Sequence, residues 1–212
     1  YIFDADALIA AVEADAESST SHHDMGGDIV PYFVERGEAS VYDMNRNDVP
    51  GSTARDRTYW RDVGTIDSFF DAHMDLISTL PIFNLYNYDW PIYTDYGPYP
   101  PAKFVHGAHG RFGEALNSAV SPGTVISGAR VTNSVIGANC RVHSYSELDQ
   151  VVMLDNVTIG RQCRIQRAII DKNVEIPEGT EIGLDPARDA ALGFTLTENG
   201  VVVIGKGAIV EP

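Results

Sequence analysis

Lysine is almost absent from this sequence. The chain has 212 residues, and Lys103, Lys172 and Lys206 are its only lysines. Basic residues number 15 against 30 acidic ones, for a net charge of −15. The deficit is uneven: residues 1–100 carry a balance of −13 and residues 101–212 a balance of −2. The first half therefore offers no basic patch to a nucleic acid or an anionic membrane. A phosphorylated ligand is not excluded, because it needs only a few local donors or a metal. Cysteine is nearly as scarce. Cys140 and Cys163 are the only two. They suggest no disulfide framework, so a reducing cytoplasm is the expected location and core or corner filling the expected role. No apolar run approaches the roughly 18 residues of a membrane span, and no basic-then-apolar signal segment opens the chain. Apolar residues at 44% and charged residues at 21% are ordinary globular values, which argues against disorder. The first residue is not methionine, and Tyr1-Ile2-Phe3 reads as a buried strand already under way.

The first 78 residues alternate between strand-like and helical text, as in an α/β domain. Asp4 is placed to cap a helix over 5–17, where Leu8, Ile9 and Val12 fall at helical spacing. Residues 18–28 read as a loop, 29–35 as a helix stopped by Gly37, and 39–44 as a strand. After a charged loop at 45–57, Tyr59–Gly64 reads as strand-like, and Thr65 caps a helix. Residues 79–115 are expected to form a linker. Its stretch 80–101 holds five prolines, five tyrosines and Trp90, and reads as an extended connection held by aromatic packing.

From Val120 the period changes. Apolar residues recur at 120, 126, 131, 136, 142, 148, 153, 159, 165, 170, 176 and 182, in steps of five or six. Aligned at seventeen residues, Val135, Val152 and Ile169 superpose. So do Asn139, Asn156 and Asn173, and Val142, Ile159 and Ile176. A parallel β-helix makes this period, with one inward anchor per short strand and three strands per coil. The repeated Asn fits a corner with positive φ. The β-helix is expected over 116–186. A C-terminal cap follows over 187–212, with a hairpin turning at Asn199-Gly200.

Two stretches are richer in polar groups than a fold requires. In His22-His23-Asp24-Met25-Gly26-Gly27-Asp28, paired glycines between carboxylates let a backbone approach a ligand closely. Asp24 suits sugar hydroxyls; equally, Asp28 could simply cap the next helix. The adjacent histidines have no third matched metal ligand and read as surface residues. In Tyr59-Trp60-Arg61-Asp62-Val63-Gly64-Thr65, Asp62 stands where a strand-like run meets a helix start. An Asp there can hold Mg²⁺ opposite phosphates; the alternative is simple pairing of Asp62 and Arg61 with neighbours.

Both stretches resemble the corresponding motifs of the bacterial glucose-1-phosphate adenylyltransferase family. Residues 66–76, Trp90-Pro91-Ile92-Tyr93, Pro100-Pro101-Ala102-Lys103-Phe104-Val105 and the β-helical repeat follow in the family's order. Gly27 departs from the pattern, where a basic residue is common. The resemblance implies the C-terminal part of a Rossmann-like nucleotidyltransferase domain, followed by a left-handed parallel β-helix. The family's Gly-rich phosphate loop, first metal-binding Asp and sugar-phosphate Lys have no match here. The resemblance further implies synthesis of ADP-glucose and pyrophosphate from ATP and glucose-1-phosphate, toward glycogen. Asp62 becomes a catalytic Mg²⁺ ligand whose partner Asp lies outside this chain. Asp24, Asp28 and Trp60 become substrate-binding. A homotetramer, a sugar-phosphate activator and a nucleotide inhibitor are implied as well. Arg161, Arg164 and Arg167, with Lys103, become effector candidates by presenting cations to a phosphate; a solvated edge that discourages aggregation is the plainer alternative. The chain alone is expected to be inactive. Two rival readings remain: a non-catalytic regulatory or scaffold subunit, and a hexapeptide-repeat acyltransferase using His143.

Overall fold

The computed structural model describes residues 1–94, 97–108 and 110–210. Tyr96, one of the tyrosines of the expected linker, lies outside the described residues. The chain divides into two compact units, Tyr1–Asn47 and Asp48–Pro212.

In the first unit, helix α1 (Ala5–Ala16) begins where the Asp4 carboxylate accepts the Ala7 N–H at 3.0 Å. A five-residue π-helix (Met25–Ile29) occupies the end of the expected loop and runs into α2 (Val30–Glu35). Gly37 leaves α2 at φ +69, the left-handed stop that glycine permits. Ala11, Ile29 and Phe33 are buried together, with Phe3 and Leu8 against them. Ile9 and Val12 stay exposed, so the buried stripe of α1 is narrower than its spacing suggests.

Three expected strands are absent. Tyr1–Phe3, residues 39–44 and Tyr59–Gly64 are irregular, and 44–46 form a 3₁₀ turn. Tyr1, Ile2, Val41 and Tyr42 are exposed rather than buried. The reason is shared: a strand is made by its neighbour, which takes up its N–H and C=O groups. Among the described residues no strand precedes Lys103.

In the second unit, helix α3 (Ile66–Leu76) starts with a reciprocal capping box. Thr65 Oγ1 accepts the Ser68 N–H, and Ser68 Oγ accepts the Thr65 N–H, each at 3.1 Å. In the segment that follows, aromatic packing holds Phe83 against Tyr59, with ring centroids 5.2 Å apart, but leaves four large rings out. Tyr86, Tyr88, Trp90 and Tyr93 are exposed. Polar bonds also tie it down: Asn87 Nδ2 donates to Pro50 O and Arg55 Nη2 to Leu80 O, both at 2.8 Å.

The solenoid follows. Parallel pairing begins at Lys103–Val105, earlier than residue 116, and three ranks of short strands stack coil on coil. Lys103–Val105, Val125–Ser127, Arg141–Val142, Thr158–Ile159 and Glu175–Ile176 make one rank. Glu147–Met153 and Arg164–Ile170 each serve the other two ranks, bending at Gln150 (φ +55) and Arg167 (φ +48). Of the twelve spaced anchors, Val120 is half-buried and every other is at most 2% exposed. The seventeen-residue superposition is literal stacking: Val135 pairs with Val152, Val152 with Ile169, Val142 with Ile159 and Ile159 with Ile176.

Asn139, Asn156 and Asn173 take φ of +57, +60 and +61 at one corner. Their side chains form a ladder, Asn139 Nδ2 to Asn156 Oδ1 at 2.8 Å and Asn156 Nδ2 to Asn173 Oδ1 at 3.2 Å. A second ladder is ionic. Glu114, Arg130, Glu147, Arg164 and Glu181 stack in register, alternating in sign at each coil. Its closest pairs are Arg130–Glu114 at 3.5 Å and Arg164–Glu181 at 3.4 Å.

After α4 (Pro186–Ala191), capped by Asp185, the expected hairpin forms. Thr195–Leu196 runs antiparallel to Val202–Ile204, with Gly200 at φ +76 in the turn. Val202–Ile204 also pairs in parallel with Ala168–Ile170. The tail therefore adds a rung to the solenoid and covers that rung's far edge. Helix α3 docks on the outside of this region, burying Phe70 among Val152, Ile169 and Val201.

Candidate functional site

Each unit carries one of the two polar stretches. In the first, Asp24 stands at the N-terminus of the π-helix and its Oδ1 accepts the Gly27 N–H. Asp28 Oδ2 accepts the Asp24 N–H at 2.9 Å. Asp28 thus braces the turn from within the π-helix and does not cap α2, whose N-cap residue is Ile29, without a side-chain cap. Asp24 keeps Oδ2 for a ligand, since Oδ1 alone is held by the turn. A Cβ on Gly27 would come within 3.2 Å of Asp24 Oδ1, so a side chain there crowds the carboxylate. The spacing of motifs missed one group. Asp15, from the end of α1, accepts Ser21 Oγ at 2.6 Å and lies 2.8 Å from His23 Nδ1. Those bonds hold the Asp15 carboxyl below its ordinary range, Ser21 contributing most and His23 next. His23 is accordingly a braced residue at φ +56, directly before Asp24. Only the return of the loop onto α1 brings the three residues together, so no local pattern announces them.

In the second unit, Asp62 is exposed and its Oδ1 accepts the Gly64 N–H at 2.9 Å. The residue before it is anchored backwards onto α3. Arg61 Nη1 donates to Asp71 O at 3.4 Å and lies 4.0 Å from the Asp75 carboxylate. Trp60 is exposed at 72%, which leaves its indole face open to a ligand rather than in a core. As a hard oxygen donor Asp62 fits Mg²⁺. It fits as a single ligand: among the described residues no group of three His, Cys, Asp or Glu side chains is arranged to hold a metal.

The arginine triplet does not converge. Arg161 lies over the Tyr145 ring at 5.5 Å, Arg164 pairs with Glu181, and Arg167 lies over the Phe70 ring at 5.2 Å. Arg167 Nε also donates to Asn199 O at 3.0 Å. Three residues along a coil carry the chain past a strand face or a bend, so this spacing disperses side chains. Arg164 lines a shallow groove of roughly 300 Å³ with Arg130, Glu147, Asp149, Gln166 and Leu184. Its two arginines face two carboxylates, which leaves no net positive field for an anion. Lys103 is exposed on the first rung of the solenoid.

Both cysteines are free and buried in the solenoid interior. Burial lifts the Cys140 thiol to about 11. No described helix is long and apolar enough to cross a membrane.

Comparison with known proteins matches both units. The family described as nucleotidyl transferase matches residues 1–79, and the family described as GlmU-like, C-terminal hexapeptide matches residues 100–204. The glucose-1-phosphate adenylyltransferase of Arthrobacter sp. (strain FB24) is 58% identical over all of this chain, which covers 46% of that protein. Those of Leifsonia xyli and Bifidobacterium adolescentis are 55% and 50% identical over all of this chain, which covers 51% of each. The chain spans about half the length of these relatives. With a nucleotidyl transferase match, a hexapeptide match and end-to-end identity of this level, the chain belongs to the glucose-1-phosphate adenylyltransferase family.

Proposed function

We propose that this chain is part of an enzyme that makes ADP-glucose and pyrophosphate from ATP and glucose-1-phosphate, for glycogen synthesis in the cytoplasm. The match of the whole chain to about half the length of relatives of that name carries the reading. The open Asp62 turn and the half-committed Asp24 carboxylate agree with it. Asp62 would hold Mg²⁺ together with a carboxylate outside this chain, and Mg²⁺ would supply charge compensation for the phosphates. Asp24 would accept sugar hydroxyls, Asp28 would keep its turn in shape, and Trp60 would pack beside the substrate. The protein's part is positioning and electrostatics, since phosphoryl-type transfer leaves little covalent work to side chains.

The regulatory part of the reading is narrower. A sugar-phosphate activator and a nucleotide inhibitor would draw on Lys103, which is exposed, since Arg161, Arg164 and Arg167 are engaged elsewhere. A homotetramer built through the solenoid completes the proposal.

The test is pyrophosphate release. The isolated chain should show none. The longer protein containing it should turn over with Mg²⁺, and Asp62→Asn should lower its kcat at least roughly a hundredfold without moving its melting temperature. Near wild-type turnover by Asp62→Asn would refute the assignment.

A further inference from the structure

Arg167 and the C-terminal hairpin are linked to the Asp62 turn through one unbroken set of contacts within the second unit. Arg61 and Gly64 fix Asp62 from either side, Arg61 by reaching back to the Asp71 carbonyl of α3 and Gly64 by its N–H. The capping box then joins the turn rigidly to the start of α3. The helix itself is fastened to the solenoid at three points. Phe70, 1% exposed, is packed among Val152, Ile169 and Val201. The Asp67 carboxylate accepts the Thr197 hydroxyl at 2.6 Å. The Arg167 guanidinium covers the Phe70 ring while its Nε holds the Asn199 carbonyl at the hairpin tip.

Arg167 sits at a bend of positive φ, where a glycine or asparagine would be the easy residue. An arginine there is explained by what its head group joins: solenoid, hairpin and helix at once. We propose that Arg167, with Thr197, is a positioning residue for the metal-binding turn, so that the far end of the β-helix sets the placement of Asp62. This rests on the reading of Asp62 as the Mg²⁺ ligand. The clasp acts through α3 and touches no substrate.

The test uses the full-length protein, with hydrogen exchange in the absence of metal as the first readout. Arg167→Met keeps the aliphatic stem and removes the guanidinium; Thr197→Val breaks the second contact separately. Each should raise exchange at the Gly64, Ser68 and Phe69 amides, by roughly threefold to tenfold, while Val142 and Ile159 amides in the solenoid keep their protection. In the pyrophosphate assay the half-saturating Mg²⁺ should rise by a similar factor with the sugar-phosphate KM unchanged, and Arg167→Lys should recover part of the loss. Exchange that is unchanged, or that rises uniformly over the chain, overturns the clasp. A wild-type protein that makes no pyrophosphate overturns the reading of Asp62 itself. A wild-type protein that does, with an unaltered exchange pattern in Arg167→Met, overturns the clasp alone.

Discussion

Asn156 allows the corner of the solenoid to be taken apart energetically. It has φ +60, accepts an amide hydrogen bond from Asn139 and donates one to Asn173. Asn156→Ala forces a Cβ-bearing residue without a compensating amide into the left-handed region, at about 1–2 kcal/mol. It also removes two exposed hydrogen bonds, at about 0.5 kcal/mol each, for a total of roughly 2–3 kcal/mol. Asn156→Gly loses the same two bonds but takes the left-handed conformation freely. Its added penalty is the extra entropy of the unfolded chain, about 0.5–1 kcal/mol. The alanine variant should therefore be less stable than the glycine variant by about 1 kcal/mol. At the size of this unit that difference is about 2–4 °C in melting temperature, readable by circular dichroism. A glycine variant that melts at or below the alanine variant would refute the claim that backbone conformation selects Asn at this corner.

Two further outcomes follow from buried titratable groups. With its thiol lifted to about 11 by burial, Cys140 should resist alkylation at pH 8 in the folded protein and react at the ordinary rate once the protein is unfolded in urea. Burial also raises the Asp189 carboxyl, chiefly by desolvation, while its Oδ2 accepts the Gly183 N–H at 3.0 Å. A carboxyl raised in the folded state binds its proton more tightly there than in the unfolded chain. Its ionised form is thus a liability above the raised pKa, and the protein regains that stability as pH falls through the raised value toward the ordinary one. Asp189→Asn keeps the acceptor and removes the charge, so it should melt no lower than wild type at pH 7 and lose that pH-dependent component; a substantially lower melting point would contradict this.

The solenoid was legible because each coil repeats one physical demand. An inward anchor every five or six residues, and an Asn at each of three stacked positions of one positive-φ corner, are local requirements written locally, and Ile126 through Ile182 with Asn139, Asn156 and Asn173 meet them. Thr65 and Gly37 were legible for the same reason, as caps. The failures fall where the deciding partner is distant. Tyr1–Phe3 and residues 39–44 have strand composition, but no strand lies beside them among the described residues. Arg161, Arg164 and Arg167 look like a cluster only if the chain is imagined straight; the coil turns them toward Tyr145, Glu181 and Phe70. The Asp15–Ser21–His23 brace depends on a loop folding back on α1. The site stretches were legible from their residues, whereas the bonds that fix Asp24 and Asp62 came only with the turn geometry.

The alternating ladder of Glu114, Arg130, Glu147, Arg164 and Glu181 does more than join neighbours. Coils this alike could stack with one coil looped out, since every interior anchor would still meet an apolar partner. Looping out the coil of Arg130, of Glu147 or of Arg164 would set Glu114 on Glu147, Arg130 on Arg164 or Glu147 on Glu181, respectively. Like charges opposed in this way are destabilising, by about 0.2–1 kcal/mol for the one contact that each skip creates. The ladder is a parity check: it leaves the oily interior free to be repetitive, and lets the outer surface count the coils.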